Sequence, residues 1–305
     1  MLHLSASPHI HSSHSTQNVM RDVIISLLPA AIAGIVIFGL RAFVVIAVCV
    51  GVCVLSEFVF NLIVKKEQTV VDLSAIVTGL LLALNLPANI PLWQAIVGSV
   101  FAIVVVKCLF GGIGKNIVNP AITARVFMLI AFGEMTQAAF PAVDAVSSAT
   151  PLNTIAEGTQ PDLLTLFLGN YGGAIGETCT LALLIGGIYL IARRVISWHL
   201  PVAFIGTAFL FTLVLVDFNF ATALSYTLSG GLFIGAIFMA TDYVTSPATW
   251  GGQILFGVLA GVITVMIRMF GTYPEGVSFA ILLMNILTPY IDIWTSRKII
   301  GGDKK

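Results

Sequence analysis

The stretch Thr78-Gly79-Leu80 leads through an apolar run to Asn85-Leu86-Pro87, and Gly230-Gly231-Leu232 leads in a similar way to Asp242 and Ser246-Pro247. Glycine and proline weaken or interrupt helices. Two such segments at corresponding places in two halves of a chain are typical of membrane proteins with inverted repeats, whose broken helices expose backbone groups near the bilayer midplane. The alternative is that these residues only allow helices to pack closely.

The segments that follow support the repeat. Each opens on a tryptophan, Trp93 or Trp250, and each closes on a cation followed by Phe-Gly, with Lys107 in the first half and Arg268 in the second. A repeat of five helices returns to the opposite side of the membrane. The second copy is therefore expected to be inverted relative to the first.

Composition places the chain in the bilayer. Of 305 residues, 58% are hydrophobic and 9% are charged, whereas roughly 25% are charged in an ordinary soluble protein. Apolar runs recur along the whole length, many of them near the roughly 20 residues that a helix needs to cross the hydrocarbon core. We count ten, at 23–39, 42–64, 71–86, 90–110, 120–132, 174–192, 200–216, 222–241, 251–270 and 277–294.

These runs predict an all-α integral membrane protein with about ten transmembrane helices in two inverted five-helix repeats. The repeats are expected at 20–132 and 174–296, joined by a loop at 133–173. The segments 1–19 and 297–305 are expected to be short tails. The first tail lacks the basic region and apolar stretch of a cleaved signal peptide.

The distribution of basic residues predicts the orientation. An even number of spans puts both termini on one side, and placing them in the cytoplasm leaves only Arg41 and Arg268 outside, with Arg125 within a span. The positive-inside rule favours this arrangement, which makes the loop 133–173 extracytoplasmic. The cytoplasmic set is Arg21, Lys65, Lys66, Lys107, Lys115, Arg193, Arg194, Arg297, Lys298, Lys304 and Lys305. A net charge of zero gives no support for binding nucleic acid.

Charged residues inside apolar runs are candidates for function. An arginine such as Arg125 is costly in a span unless it faces a cavity, a carboxylate or an anionic ligand. Its candidate partners are Asp72, Asp242 or a cofactor phosphate. The alternative is a purely structural ion pair. Asp242 is the acid most expected to have a functional role. Glu57 and Glu177, nearer span ends, are expected to be interfacial, like Asp217.

Cysteine and histidine give no metal site. Cys49 and Cys53 share a helix face. The four cysteines, which include Cys108 and Cys179, form no C-x-x-C pattern and have no further metal ligand nearby in the sequence. They are therefore expected to be small buried residues. The spacing of the tail histidines matches no single helix or strand face. They are His3, His9, His11 and His14.

The loop 133–173 contains the motif Ser147-Ser148-Ala149-Thr150-Pro151-Leu152. Small neighbours leave the Thr150 hydroxyl open to modification, and Pro151 biases Thr150 toward an extended backbone. Taken alone, the motif is also ordinary loop punctuation, since Ser and Thr before proline are common in turns.

Several blocks of sequence together resemble one family. The Ser147–Leu152 motif resembles the site at which membrane subunits of the Rnf and Na+-pumping NADH:quinone oxidoreductase complexes carry FMN. The other blocks, in chain order, resemble the RnfD component of Rnf complexes and its cousin NqrB in the sodium-pumping enzyme. They are Ser7–His9, Asn18–Val23, Leu27–Ala30, Asp72–Leu80, Leu84–Pro91, Gly111–Ala121, Tyr171–Gly173, Gly176–Thr178 and Ala240–Pro247. The chain lacks the cousin's longer N-terminal extension, which favours the Rnf component; Ser148 stands where the family often has glycine.

The resemblance implies a role in electron transfer. It implies a urea-transporter-like fold and FMN joined by a phosphoester to Thr150, with Ser147, Ser148 and Ala149 around it. It implies further that a second, noncovalent flavin such as riboflavin lies near Arg125, with Asn119 and Asp242 as further candidate binding residues. The implied setting is a bacterial or archaeal cytoplasmic membrane, in a complex with Rnf subunits A, B, C, E and G that couples electron transfer between ferredoxin and NAD+ to Na+ or H+ transport.

Two other functions explain the spans and the charge bias equally well. One is a passive channel or transporter with an inverted five-helix repeat, as in urea channels. The other is a membrane anchor without flavin that only holds redox partners. The channel does not explain the Ser-Ser-Ala-Thr-Pro-Leu motif in the outer loop, and the anchor is possible if Thr150 is unmodified.

Overall fold

A computed structural model describes residues 15–132, 152, 155, 161–271 and 276–296. In these residues the chain is helical, and the described part contains no strand beyond an isolated antiparallel bridge between Pro87 and Ala174. The all-α prediction is confirmed to this extent. Thr150 and its neighbours Ser147, Ser148 and Ala149 lie outside the described residues, as do the four tail histidines.

The first half begins with two long helices and continues in shorter ones. Ser15 caps the first helix by accepting a hydrogen bond from the Asn18 N–H at 3.2 Å, and Asn119 caps the last with Pro120 at the first helical position, both favoured arrangements. The helices are α1 (Thr16–Phe38), α2 (Leu40–Val64), α3 (Ser74–Leu84), α4 (Leu92–Val100, continued as a π-helix through Phe101–Cys108) and α5 (Pro120–Ala131).

The second half follows a short helix, α6 (Leu163–Leu168), and contains a second π-helical segment. Its helices are α7 (Thr180–Ala192), α8 (His199–Leu215), α9 (Phe220–Leu228), α10 (Leu232–Ile234, continued as a π-helix through Gly235–Met239), α11 (Trp250–Phe270) and α12 (Val277–Thr295). The halves meet where α1 packs on α7 and α5 packs on α12.

Every apolar run counted in the sequence coincides with a helical segment, but the helices differ in length. Among the described residues, four are long and apolar enough to cross a membrane, namely α1, α2, α11 and α12, and the pair α9 and α10, bent by 64°, makes up to five. The other five have 10–17 residues. At about 1.5 Å per residue these are shorter than a hydrocarbon core of about 30 Å. The count of ten spans in two inverted repeats therefore stays a prediction.

The end of α3 and the break in the bent pair are buried. The chain leaves α3 at Asn85 and runs without helix to Pro91. There it meets the connector before α7, because the Ile175 N–H donates to the Leu86 carbonyl at 3.0 Å and the Gly176 N–H to the Leu84 carbonyl at 2.7 Å. The connector thus satisfies carbonyl groups that the end of α3 leaves without helical partners.

Candidate functional site

A buried polar cluster surrounds Arg125 on α5. Its Nη1 donates to Asn85 Oδ1 at 2.6 Å, and its Nη2 lies 3.9 Å from Glu177 Oε2. Glu177 also accepts a hydrogen bond from the Ala174 N–H at 2.9 Å through Oε1. Arg125, Asn85 and Glu177 are all buried, so the guanidinium charge is balanced by a carboxylate and an amide oxygen, as burial requires.

The Gly230-Gly231 break between α9 and α10 lies against this cluster. A Cβ at Gly231 would be 3.3 Å from Arg125 Nη1 and 3.5 Å from Glu177 Oε2. Gly230 has a positive φ of 71°, a conformation in which glycine carries no side-chain penalty. The glycines therefore let the bent pair approach a buried ion pair closely.

A chain of contacts links Arg125 to Asn119. Asn85 Nδ2 donates to the Leu81 carbonyl at 2.7 Å and lies 3.4 Å from the Met239 sulfur, while Asn119 Nδ2 donates to the Met239 carbonyl at 3.3 Å. Met239 ends the second π-helical segment, and π-helical turns are frequent at functional sites. Asn85 at the end of α3 and Asn119 at the start of α5 thus both contact Met239, at the end of the second π-helical segment.

A cleft opens beside Asn119, on the side that the charge distribution predicts to be cytoplasmic. It encloses about 790 Å³, including its open mouth. Asn119 and Asp242 both line it, whereas Arg125 is not among its lining residues. The other polar lining groups are Ser74, Thr78, Lys107, Asn116, Thr241 and Tyr243.

Asp242 lies in the connector after α10, outside the helical segments. It accepts hydrogen bonds from the Val244 N–H and from the Thr245 hydroxyl, both at 3.3 Å. Burial raises the pKa of the Asp242 carboxyl above its ordinary value of 3.8, and these hydrogen bonds only partly offset the rise. An acid of this kind can hold a proton more readily than a solvated aspartate.

Lys107 forms a second buried ion pair at the wall of the cleft. Its Nζ lies 2.9 Å from Glu57 Oε2 and 3.0 Å from Glu57 Oε1, and it donates to the Ser74 hydroxyl at 2.5 Å. The Thr69 hydroxyl donates to Glu57 Oε1 at 2.6 Å. Ser74 also hydrogen-bonds the Asp72 carboxylate. Glu57 also lines a second, open cleft of about 580 Å³, including its mouth, together with Asn61 and Thr69 among others.

The described partners of Arg125 are Asn85 and Glu177 instead of Asp72 or Asp242, which agrees with the alternative of a buried structural ion pair. Glu57 and Glu177, expected near span ends at the interface, are buried in the protein and paired. Glu57 is buried because α2 packs on α3 and α4. Glu177 is buried because the connector that carries it bonds to the backbone after α3. Asp217 is exposed.

The Lys107–Glu57 pair is not predicted from the sequence, although a signal for it is present. Opposite charges each stand within an apolar run, and intramembrane charges generally pair. The charge distribution marks Lys107 only as one of the cytoplasmic cations. No group of three or more His, Cys, Asp or Glu residues suited to a metal occurs in the described part of the chain.

The motif of Thr150 itself is not described, but two residues beyond it are. Leu152 and Ile155 are buried and pack with Tyr226 of α9, with Val216 and Met269 at the edge of this group. The chain just after Thr150 therefore contacts the second half at the ends of α8, α9 and α11.

The chain matches one protein family along nearly its whole length. A family model described as the NQR2, RnfD, RnfE family matches residues 3–301. The chain is 48% identical over 311 residues to the D subunit of the Na+-translocating ferredoxin:NAD+ oxidoreductase complex of Acetobacterium woodii, covering 99% of this chain and 96% of the relative.

Two further relatives align over nearly their full length. Identity is 39% to the D subunit of the proton-translocating ferredoxin:NAD+ oxidoreductase complex of Clostridium ljungdahlii, covering 98% of this chain and 96% of the relative. It is 32% to the D subunit of the ion-translocating oxidoreductase complex of Aliivibrio salmonicida, covering 99% of each. The chain belongs to the NQR2, RnfD, RnfE family.

Proposed function

We propose that this chain is the membrane flavoprotein subunit of an Rnf-type complex, which couples electron transfer between ferredoxin and NAD+ to Na+ or H+ translocation. The observation that carries the proposal is the full-length similarity to proteins named as the D subunit of such complexes. The chain would act with the other subunits, A, B, C, E and G, and not as an enzyme alone.

The electron-carrying group in this proposal is FMN joined to Thr150 by a phosphoester, with Ser147, Ser148 and Ala149 beside it. Supporting it, the Ser147–Leu152 motif resembles the site at which membrane subunits of this family carry FMN. Flavin can accept one or two electrons, and the protein positions it and adjusts its potential. The loop 133–173 would be extracytoplasmic, accessible to a flavin transferase there.

The cleft beside Asn119 and Asp242 is the proposed place for a second, noncovalent flavin such as riboflavin. It combines apolar walls with a few polar groups, as small-molecule sites do. Asp242, Asn119 and Lys107 would hydrogen-bond the ligand there. Arg125 would contribute indirectly, through Asn85 and Met239.

Gel fluorescence tests the covalent flavin. The full chain is produced in a host with a flavin transferase, denatured, run on a gel and viewed under ultraviolet light, together with Thr150→Ala and with Thr154→Ala as a control from the same loop. We expect a fluorescent band in the wild type and in Thr154→Ala, and its loss in Thr150→Ala. A dark wild-type band would overturn the flavoprotein proposal in favour of a passive transporter or a membrane anchor.

A further inference from the structure

Three arginines come together where the start of α1 meets the end of α7. Arg193, just after α7, donates through Nε and Nη2 to Asp22 Oδ2 of α1, both at 3.3 Å. The Tyr189 hydroxyl of α7 donates to Asp22 Oδ1 at 3.1 Å. Arg21 precedes Asp22 and Arg194 follows Arg193, and both outer arginines are exposed. The contact between Asp22 and Arg193 therefore brings three guanidinium groups to one end of a helix pair.

This end of the helix pair is positively charged. Residues 16–22 and 189–196 contain three arginines and one acid, Asp22, which leaves a net charge of +2. Asp22 is buried and bonded to Tyr189 and Arg193, whereas the Arg193 side chain is still 54% exposed. The acid thus fixes the orientation of Arg193 but does not neutralise the three cations.

An apolar stripe on each helix extends away from these arginines. The exposed residues of each stripe are spaced by three or four positions, which keeps them on one helix face. They are Ile25, Leu28 and Ile32 of α1, in register with Arg21, and Leu181, Ile185 and Ile188 of α7.

The two stripes lie side by side. Asp22 near the start of α1 meets Arg193 after the end of α7, and a Cβ on Gly34 near the end of α1 would touch Ile175 just before α7. The helices therefore run antiparallel. At 3.6 residues per turn, each stripe lies about a quarter turn from the face through which α1 and α7 contact each other, and in an antiparallel pair the two stripes turn to the same side. The pair presents one apolar surface with cations at one end.

We propose that this surface binds an anionic phospholipid in the leaflet that the charge distribution predicts to be cytoplasmic. Arg21, Arg193 and Arg194 hold the lipid phosphate, and the acyl chains lie along the stripes of α1 and α7. A guanidinium suits this role because its planar set of N–H donors matches phosphate oxygens. Basic pockets between transmembrane helices on the cytoplasmic side bind anionic headgroups in the same way. The inference goes beyond the proposed function and does not depend on either flavin.

Native mass spectrometry of the purified full chain in detergent micelles tests the proposal. Phosphatidylglycerol is the anionic probe and phosphatidylcholine the zwitterionic one. The samples are the wild type, the double variant Arg21→Gln/Arg194→Gln, which leaves the buried acid and its ion pair in place, and Lys65→Gln/Lys66→Gln as the matched control. The control removes the same charge from two exposed lysines at the end of α2, on the same predicted side.

We expect the wild type to bind phosphatidylglycerol more tightly than phosphatidylcholine. In Arg21→Gln/Arg194→Gln the apparent Kd for phosphatidylglycerol should rise about thirtyfold, as for loss of two basic residues near an anionic surface. The lysine double variant should match the wild type, because its lysines lie outside the helix pair.

Three results would overturn the inference: equal binding of the two lipids by the wild type, equal weakening in both double variants, or wild-type affinity in Arg21→Gln/Arg194→Gln. The last result would favour coverage of this face by another protein subunit. If that double variant does not fold, Arg194→Gln alone should weaken binding about fivefold, and wild-type affinity in the single variant would overturn the inference as well.

Discussion

At the scale of single residues, the Lys107–Glu57 pair gives the sharpest prediction for stability. Both side chains are almost fully buried and their charged atoms lie 2.9 Å apart. Removal of one partner leaves an uncompensated buried charge, which costs about 3–5 kcal/mol. We expect Lys107→Met and Glu57→Leu each to lower the free energy of unfolding by about this amount, measured in mixed detergent micelles.

The double variant and an exposed lysine provide the controls for this prediction. Lys107→Met combined with Glu57→Leu removes both charges, so its loss should be clearly smaller than the sum of the two single losses. Lys66→Met, at an exposed lysine near the same end of α2, should change stability by no more than about 0.5 kcal/mol. If Lys107→Met and Glu57→Leu lowered the free energy of unfolding as little as Lys66→Met, the result would contradict the buried pair.

Asp242 predicts a dependence of stability on pH. Because burial raises the pKa of this carboxyl above 3.8, the folded protein holds the proton more tightly than the unfolded chain does. Below pH 3.8 both states are protonated and there is no penalty; as the pH rises through the raised folded pKa, ionised Asp242 destabilises the fold.

Replacement by asparagine removes that titration. The melting temperature of Asp242→Asn relative to the wild type should therefore rise from acidic to neutral pH, and a thermal unfolding series over this range measures it. A difference that is constant with pH would mean that folding leaves the pKa of Asp242 unchanged, and one that falls toward neutral pH would mean that the fold stabilises the carboxylate; either would contradict the prediction.

At the scale of elements, the crossing of α1 and α7 depends on a glycine. A Cβ on Gly186 would lie 2.1 Å from the Ser26 carbonyl oxygen, which is backbone and cannot move without shifting α1. Gly186→Ala should therefore destabilise the protein by about 1–3 kcal/mol, as overpacking does. Gly206→Ala in α8, with no atom within 4 Å of its added Cβ, should be neutral or stabilising because alanine favours helix. Equal thermal midpoints for the two variants would exclude close packing at this crossing.

Helices were easier to predict than their lengths. Ten apolar runs located the helical segments, because a run of some twenty apolar residues is required by the bilayer itself and does not depend on particular contacts within the protein. The runs could not show where helix stops within them. In the run 71–86 the helix covers only Ser74–Leu84. The backbone at its end is hydrogen-bonded to a connector about 90 residues later in the chain, and no local sequence pattern encodes that pairing.

At the scale of the whole molecule, the candidate site was predictable only in part. Asn119 and Asp242 do share a cleft, since both stand at the ends of interrupted elements expected on the same side. The pairing of Arg125 with Glu177, across the two halves of the chain, depends on how the connector folds into the break of α3. Choosing one acid among several for an intramembrane arginine needs tertiary contacts that the sequence pattern does not contain.

The arrangement of the molecule in its membrane gives the last prediction. The cleft is lined in part by Lys107, which the charge bias places on the cytoplasmic side, whereas Arg268 is expected at the opposite, outer end. If this orientation holds, a cysteine at Asp217 reacts with a membrane-impermeant thiol reagent on intact spheroplasts, and a cysteine at Lys66 reacts only after permeabilisation. Both positions are exposed, and the background lacks the four native cysteines. The reverse labelling would put the Thr150 loop in the cytoplasm, out of reach of an extracytoplasmic flavin transferase, and the proposal of a covalent flavin at Thr150 would then lose its physical basis.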